Sequence, residues 1–253
     1  MADVPLNLAF YGNLFLPARK PGSKGPPTGD DLDGLRDEEI ANLVEAAREV
    51  LTEEEVASAA ELPPEKGYTR TPVALQGVLR ALDARYGRTA GVLYLGTLRQ
   101  VRRYLVDPDL KGRVDAILAD TMTSGCRILI GHSLGSVLAL EYVRQHPEHR
   151  LDLLLTLGSP LALRMVQSRL PEPFFGAGTE AGRPESVAAW VNVRDVRDPV
   201  ACAGDLSAWW SAVEDRHVDN EGDAHNVARY LGNQQSGAAI LAAAPQLAGG
   251  GQR

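Results

Sequence analysis

The chain has 253 residues, of which 44% are hydrophobic and 6% aromatic, and its formal net charge at pH 7 is −7. This length and composition predict a globular protein with a substantial core, organised as one large α/β domain or two small ones. The negative charge argues against nucleic acid as the main partner, because a phosphate-binding surface needs an excess of basic residues. It also disfavours electrostatic docking on acidic membranes.

The sequence contains no signal for a membrane or for an oxidising compartment. Its first residues include no basic segment followed by an apolar run, so we expect no signal peptide. No stretch is long and apolar enough to predict an integral membrane segment. The two cysteines, Cys126 and Cys202, are too few for a disulfide framework. We therefore expect a cytoplasmic protein.

The first part of the chain predicts a strand, a loop and then helices. Leu6–Tyr11 is typical of a strand, whereas residues 17–34 are rich in Pro, Gly, Lys and Asp and predict a flexible loop. Residues 35–105 show helical spacing of apolar side chains and predict a helical insertion or cap. Within it, Thr52 and Glu55 form the pattern of a capping box, so a helix is expected to begin after Thr52.

Later segments alternate short apolar runs with helical patterns, which predicts a mostly parallel sheet with helices on both faces. The predicted strands are Cys126–Ile130, Leu151–Leu157 and Val187–Val193. The predicted helices are Asp109–Thr123, Ser136–Arg144, Leu161–Arg169, Asn226–Leu231 and Gln235–Ala243. Residues 246–253 predict a disordered tail, and we expect residues 1–253 to form a single α/β domain.

The most informative motif is a G-x-S-x-G, the segment Gly131-His132-Ser133-Leu134-Gly135. It lies between a predicted strand and a predicted helix, which is the context of a nucleophile elbow. Glycines suit this turn because strand and helix approach each other too closely for a Cβ. We therefore predict Ser133 as a nucleophile and the Leu134 backbone N–H as an oxyanion donor. The alternative, a nucleotide-binding turn, favours G-x-G-x-x-G or a lysine after the last glycine, and neither is present.

A serine nucleophile needs a base and an acid, which on this scaffold follow it in the order Ser, Asp, His. Asp195 and Asp198 both follow the predicted strand that ends at Val193. We favour Asp198 because it lies farther beyond the strand, whereas Asp195 suits a cap or turn. His225 immediately precedes a predicted helix late in the chain and is the preferred base. His217 suits a strand or the surface instead.

The remaining histidines have other predicted roles. His132 is too close to Ser133 in sequence to act as its base, and we expect it to shape the floor of the pocket. His146 and His149 lie at a helix end, where an imidazole meets the helix dipole. Pro147 between them disrupts the helical spacing that a metal site would use. The sequence therefore predicts no metal site, and no cofactor is implied.

Further segments strengthen the interpretation of the elbow. They are Thr156-Leu157-Gly158-Ser159-Pro160-Leu161, Asp195-Val196-Arg197-Asp198-Pro199-Val200-Ala201 and Ala224-His225. Together with the elbow they resemble the α/β-hydrolase superfamily, and within it lipase- or esterase-like serine hydrolases of the type related to GPI-inositol deacylases. The resemblance implies an α/β-hydrolase-like fold with Ser133 as nucleophile, Asp198 as acid and His225 as base.

The chain departs from this family near its N-terminus. Relatives of this type usually open with a strand that ends in a His-Gly motif and carries the second oxyanion donor, but no such segment precedes Leu6. Three explanations follow: the recorded start lies downstream of the real one, Gly12 and Asn13 substitute, or that half of the oxyanion hole is lost.

We expect a serine hydrolase that cleaves a carboxylic ester or thioester of a small-molecule substrate through an acyl-enzyme. Alternatives with the same triad are an acyltransferase, a thioesterase and a peptidase. Trp209 and Trp210 are candidates for lining an acyl pocket or for ordinary core packing. A further alternative is a catalytically weak binding protein with a hydrolase fold. The sequence carries no signal for an oligomeric state.

Overall fold

The computed structural model describes residues 5–15, 36–61, 71–171 and 183–247. These residues form a mixed α/β fold built on a four-stranded, all-parallel sheet with helices. The flexible loop predicted over residues 17–34 lies outside the described residues.

In the described part of the chain, a run of helices precedes the first strand. They are α1 (Asp37–Arg48), α2 (Glu53–Ala60), α3 (Val73–Tyr86), α4 (Ala90–Val106) and α5 (Pro108–Thr121). The capping box predicted before α2 is confirmed. The Thr52 N–H donates to Glu55 Oε2 at 2.7 Å, and the Glu55 N–H donates to Thr52 Oγ1 at 3.2 Å. Two N–H groups that have no partner inside the helix are satisfied in this way.

The strands lie side by side in the sheet in the same order in which they occur along the chain. Its strands are β1 (Ile128–His132), β2 (Leu151–Leu157), β3 (Val187–Asp195) and β4 (Val213–Val218), in the spatial order β1-β2-β3-β4. Each neighbouring pair is parallel. β2 lies inside the sheet, and all but one of its residues are buried. This burial explains its nearly continuous apolar sequence, because a parallel strand covered on both faces meets no water on either side.

Helices cover both faces of the sheet. The remaining helices are α6 (Leu134–Gln145), α7 (Arg164–Gln167), α8 (Val227–Gly232) and α9 (Gln234–Ala243). The pair Leu154 and Trp190 belongs to a core shared with α1 to α7, whereas the next pair along the strands, Leu155 and Val191, belongs to a core shared with α8 and α9. Trp210 is fully buried, with its ring centroid 5.3 Å from that of Trp190, so this side chain belongs to the core.

None of the helices in the described segments combines the length and the apolar character needed to cross a membrane. The longest of them, α4, has 17 residues and carries basic side chains in its second half.

The strand predicted at Leu6–Tyr11 is wrong. None of the strands found in the described segments pairs with these residues, and the side chains of Leu6, Leu8 and Phe10 are 91%, 81% and 68% exposed. The alternating pattern suits a strand, but a strand also needs a neighbour for its backbone hydrogen bonds. Here the Asn7 side chain donates to Thr121 O at 3.2 Å, and the segment continues into a 3-10 helix at Gly12–Phe15.

Two further differences concern the later part of the chain. β4 is absent from the predicted strands because its inner residues are polar and lack the apolar pattern that predicts a strand. These residues are Glu214-Asp215-Arg216-His217. Such polarity is typical of the outer strand of a sheet. The disordered tail predicted over residues 246–253 is wrong at its first two residues, which belong to a 3-10 turn over 245–247. Residues 248–253 lie outside the described segments.

Candidate active site

Three loops meet at one edge of the sheet. Ser133 lies between β1 and α6, Asp198 lies in the loop after β3, and His225 lies between β4 and α8. All strands of a parallel sheet end at the same edge, so loops that follow different strands are brought side by side. The structure places the three side chains predicted as nucleophile, acid and base in mutual contact at this edge.

Ser133, His225 and Asp198 form a continuous hydrogen-bonded chain. His225 Nε2 lies 3.0 Å from Ser133 Oγ, and His225 Nδ1 lies 2.9 and 2.8 Å from Asp198 Oδ1 and Oδ2. A carboxylate only accepts, so the imidazole proton belongs on Nδ1, and Nε2 is left to accept the Ser133 hydroxyl proton. The Asp198 side chain is fully buried and that of His225 is 10% exposed. Little water therefore screens the pair, which strengthens its electrostatic interaction.

The backbone of the elbow is strained and tightly packed. Ser133 has φ 54° and ψ −124°, a conformation that L-residues adopt only when the surroundings impose it. The Ser133 N–H donates to Leu157 O on β2 at 3.0 Å. A Cβ on Gly131 would lie 2.4 Å from Gly135 O, which explains the glycine before the serine. This packing holds the Ser133 hydroxyl beyond the end of the strand.

Asp198 has two further donors besides His225. The Val200 N–H donates to Oδ1 at 2.9 Å, and the Tyr230 hydroxyl donates to Oδ2 at 2.8 Å. The same hydroxyl accepts the Asp195 N–H at 2.9 Å. Burial and the nearby Asp198 carboxylate raise the pKa of Tyr230 far above its usual value, so the phenol stays protonated as a donor. Tyr230 was not predicted, because its partner is 32 residues away and no local pattern links them.

The alternative acid and base lie in other surroundings. Asp195 is fully buried at the end of β3, where its carboxylate accepts the N–H groups of Arg197 at 2.8 Å and of Asn220 at 2.6 Å. It therefore ties the end of β3 to the loop after β4. His217 lies on β4 with a mostly exposed side chain, and its Nε2 is 3.6 Å from Asp215 Oδ1. His225 makes its carboxylate contacts with Asp198.

His132 supports the loop that carries His225. Its Nε2–H donates to His225 O at 2.9 Å, and the two rings lie 4.6 Å apart. Burial, and to a lesser extent the neighbouring His225, lowers the pKa of His132 from 6.5 to about 4. The imidazole is therefore neutral at physiological pH, and it holds the neighbouring loop by a hydrogen bond without adding charge to the site.

Leu134, the predicted oxyanion donor, is the first residue of α6. Among the described residues none accepts its backbone N–H, which is therefore free for a ligand. The positive end of the α6 dipole lies at the same place and favours negative charge there. Gly12 and Asn13, proposed as substitutes for the second donor, are exposed in the N-terminal 3-10 helix.

No metal centre is found in the described part of the chain, where no group of three His, Cys, Asp or Glu side chains is placed to hold an ion. His146 lies 3.3 Å from Glu148 at the surface. His149 is used internally, since its ring nitrogens bond to the Tyr142 hydroxyl and to Cys126 O.

Comparison of the chain with protein-family models, with curated proteins and with solved structures gives no match in any of the three. The geometry of Ser133, Asp198 and His225 is therefore the basis on which a function can be proposed.

Proposed function

We propose that this protein is a serine hydrolase of the α/β-hydrolase type, and that it cleaves a carboxylic ester or thioester through an acyl-enzyme. The single observation that supports this proposal is the hydrogen-bonded chain from Ser133 Oγ through His225 to Asp198, with distances of 2.8 to 3.0 Å. A buried acid, an imidazole and a hydroxyl in this sequence are the components that activate a serine. Their chain order, Ser, Asp, His, matches that of α/β-hydrolases.

In the proposed mechanism the Ser133 hydroxyl attacks the carbonyl carbon of the substrate while His225 Nε2 takes its proton. Asp198 stabilises the resulting imidazolium and keeps Nδ1 protonated. The Leu134 N–H donates to the oxyanion of the tetrahedral intermediate. His225 then gives its proton to the leaving alcohol or thiol, and the acyl group remains on Ser133. Water, deprotonated by the same imidazole, releases the acid and restores the hydroxyl.

A fluorophosphonate probe tests the nucleophile directly. We expect one mole of probe per mole of protein on Ser133, because the probe reacts only with an activated serine. The variant Ser133→Ala should not be labelled, and the variant Ser159→Ala is the matched control, since Ser159 is buried nearby against Ser136 and should not affect labelling. An unlabelled wild-type protein, or labelling that survives Ser133→Ala, would refute the proposal.

The class of acceptor requires a second experiment. Acyl-enzyme formation is common to hydrolysis and acyl transfer, so only the fate of the acyl group separates them. Matched p-nitrophenyl ester and thioester substrates, assayed with and without an added amine, would measure the partition between acid and amide products. We expect the acid. We also propose a cytoplasmic setting, which is supported by the free thiols of Cys126 and Cys202.

A further inference from the structure

The Tyr11 hydroxyl lies against the first turn of α6. It is 3.1 Å from the position that a Cβ on Gly135 would occupy. Apart from Leu134, Ser136 and the backbone of α6 itself, no other atom in the described segments lies within 4 Å of that position. The missing side chain of Gly135 therefore leaves the space into which the phenol points. This space adjoins Leu134, whose N–H has no acceptor among the described residues.

The phenol is held in place by its own segment. The Leu14 N–H donates to Tyr11 O at 3.0 Å and closes the turn. The Tyr11 ring packs edge-on against Phe15, with ring centroids 6.2 Å apart. Phe15 is in turn buried, and its carbonyl accepts a hydrogen bond from Arg103 at 3.4 Å. The ring orientation is thus set by packing that does not involve the hydroxyl.

The hydroxyl itself has no hydrogen-bond partner among the described residues. A half-buried phenol that packs its ring and leaves its O–H unused is available to a ligand. Burial raises the pKa of Tyr11 to about 12, so the group carries its proton at every pH at which an esterase would be assayed. It can therefore donate to an oxyanion and would not repel it.

We propose that the Tyr11 hydroxyl is the second oxyanion donor, a catalytic residue that acts beside the Leu134 N–H. This inference rests on the proposed serine hydrolase function. It differs from the alternative in which Gly12 and Asn13 substitute for this donor; both of these residues are exposed in the 3-10 helix. In this N-terminal segment, Tyr11 approaches the elbow, and it does so through its side-chain hydroxyl.

The test is Tyr11→Phe, which removes the hydroxyl and keeps the packed ring. Loss of one oxyanion donor lowers kcat by roughly 100-fold or more, and KM should change little because the donor acts on the intermediate. The fluorophosphonate should label Ser133 more slowly but to the same final extent. The matched control is Tyr142→Phe, whose hydroxyl bonds to His149 away from the triad and whose loss should leave kcat unchanged.

A second variant checks the placement of the phenol. Gly135→Ala introduces a methyl group 3.1 Å from the Tyr11 hydroxyl, which should displace it and lower kcat in the wild-type background. The same substitution should add little in Tyr11→Phe. Equal losses in both backgrounds would show that Gly135 does not act through Tyr11, and would count against the inference.

The outcomes separate this inference from the proposed function. A kcat of Tyr11→Phe within threefold of wild type, with labelling still abolished by Ser133→Ala, would overturn the role of Tyr11 and leave the hydrolase intact. A wild-type protein that is never labelled would overturn both. A large fall in kcat with an unchanged melting temperature would support Tyr11 as a donor, because a structural role would also lower stability.

Discussion

The sharpest test of the triad is the substitution Asp198→Asn. In the wild type both carboxylate oxygens are acceptors: Oδ1 accepts from the Val200 N–H, Oδ2 accepts from the Tyr230 hydroxyl, and both lie within 2.9 Å of His225 Nδ1. An amide has only one acceptor oxygen. If that oxygen stays with Val200, the NH₂ group faces Nδ1 and favours the tautomer that carries its proton on Nε2. This tautomer cannot accept the Ser133 proton.

The expected loss is large because the site is buried. The variant loses both the correct tautomer and the negative charge that stabilises the imidazolium, and Asp198 is fully shielded from water. In serine hydrolases this type of change lowers kcat by about 10⁴, which corresponds to about 5 kcal/mol of activation free energy. KM should be almost unchanged, since Asp198 contacts no substrate in the proposed mechanism.

Asp195→Asn is the matched control. Asp195 is equally buried, but its carboxylate accepts the backbone N–H groups of Arg197 and Asn220. We expect a loss of about 1–3 kcal/mol in the free energy of unfolding and a kcat within about tenfold of wild type. Hydrolysis of p-nitrophenyl butyrate gives kcat, and urea unfolding shows that each variant is folded in the assay. A larger fall in kcat for Asp195→Asn than for Asp198→Asn would refute the assignment of the acid.

Three other predictions concern the surroundings of the triad. Because the pKa of His132 is lowered from 6.5 to about 4, the unfolded state binds its proton first as the pH falls. When the pH is lowered from 7.5 to 5, the unfolding free energy of the wild type should therefore fall by about 2 kcal/mol more than that of His132→Gln. Urea unfolding at both pH values measures this difference, and equal losses in the two proteins would contradict the prediction. Tyr230→Phe should lower kcat about tenfold at constant KM, because the hydrogen bond from Tyr230 to Asp198 is lost; an unchanged kcat would rule out a positioning role. Gly158→Ala should abolish most activity, because Gly158 has φ +51° and the new Cβ would lie 2.7 Å from Asp198 Oδ2. The control is Gly112→Ala, at an open position of α5. It should keep the activity and raise the free energy of unfolding, measured by thermal unfolding, by about 0.5–1 kcal/mol.

Local patterns in the sequence predict most of the secondary structure that positions the site. The capping box at Thr52 and the apolar run of β2 each depend on residues within one element. The elbow is also a local feature, because glycines on both sides of Ser133 and an apolar segment before it already specify a turn between a strand and a helix. Such features follow from backbone sterics and from the period of the side chains, which act over a few residues.

Tertiary structure alone decided which side chains meet. The sequence favoured Asp198 over Asp195 only by its placement beyond the strand, and it predicted a strand at Leu6–Tyr11 that pairs with none of the described strands. It gave no sign that Tyr230 would contact the acid or that Tyr11 would approach the elbow. These contacts join residues 32 or more positions apart. These contacts form because the register of the parallel strands brings distant loops together and because each buried polar group needs a partner. A short segment of sequence specifies neither the register nor the partner.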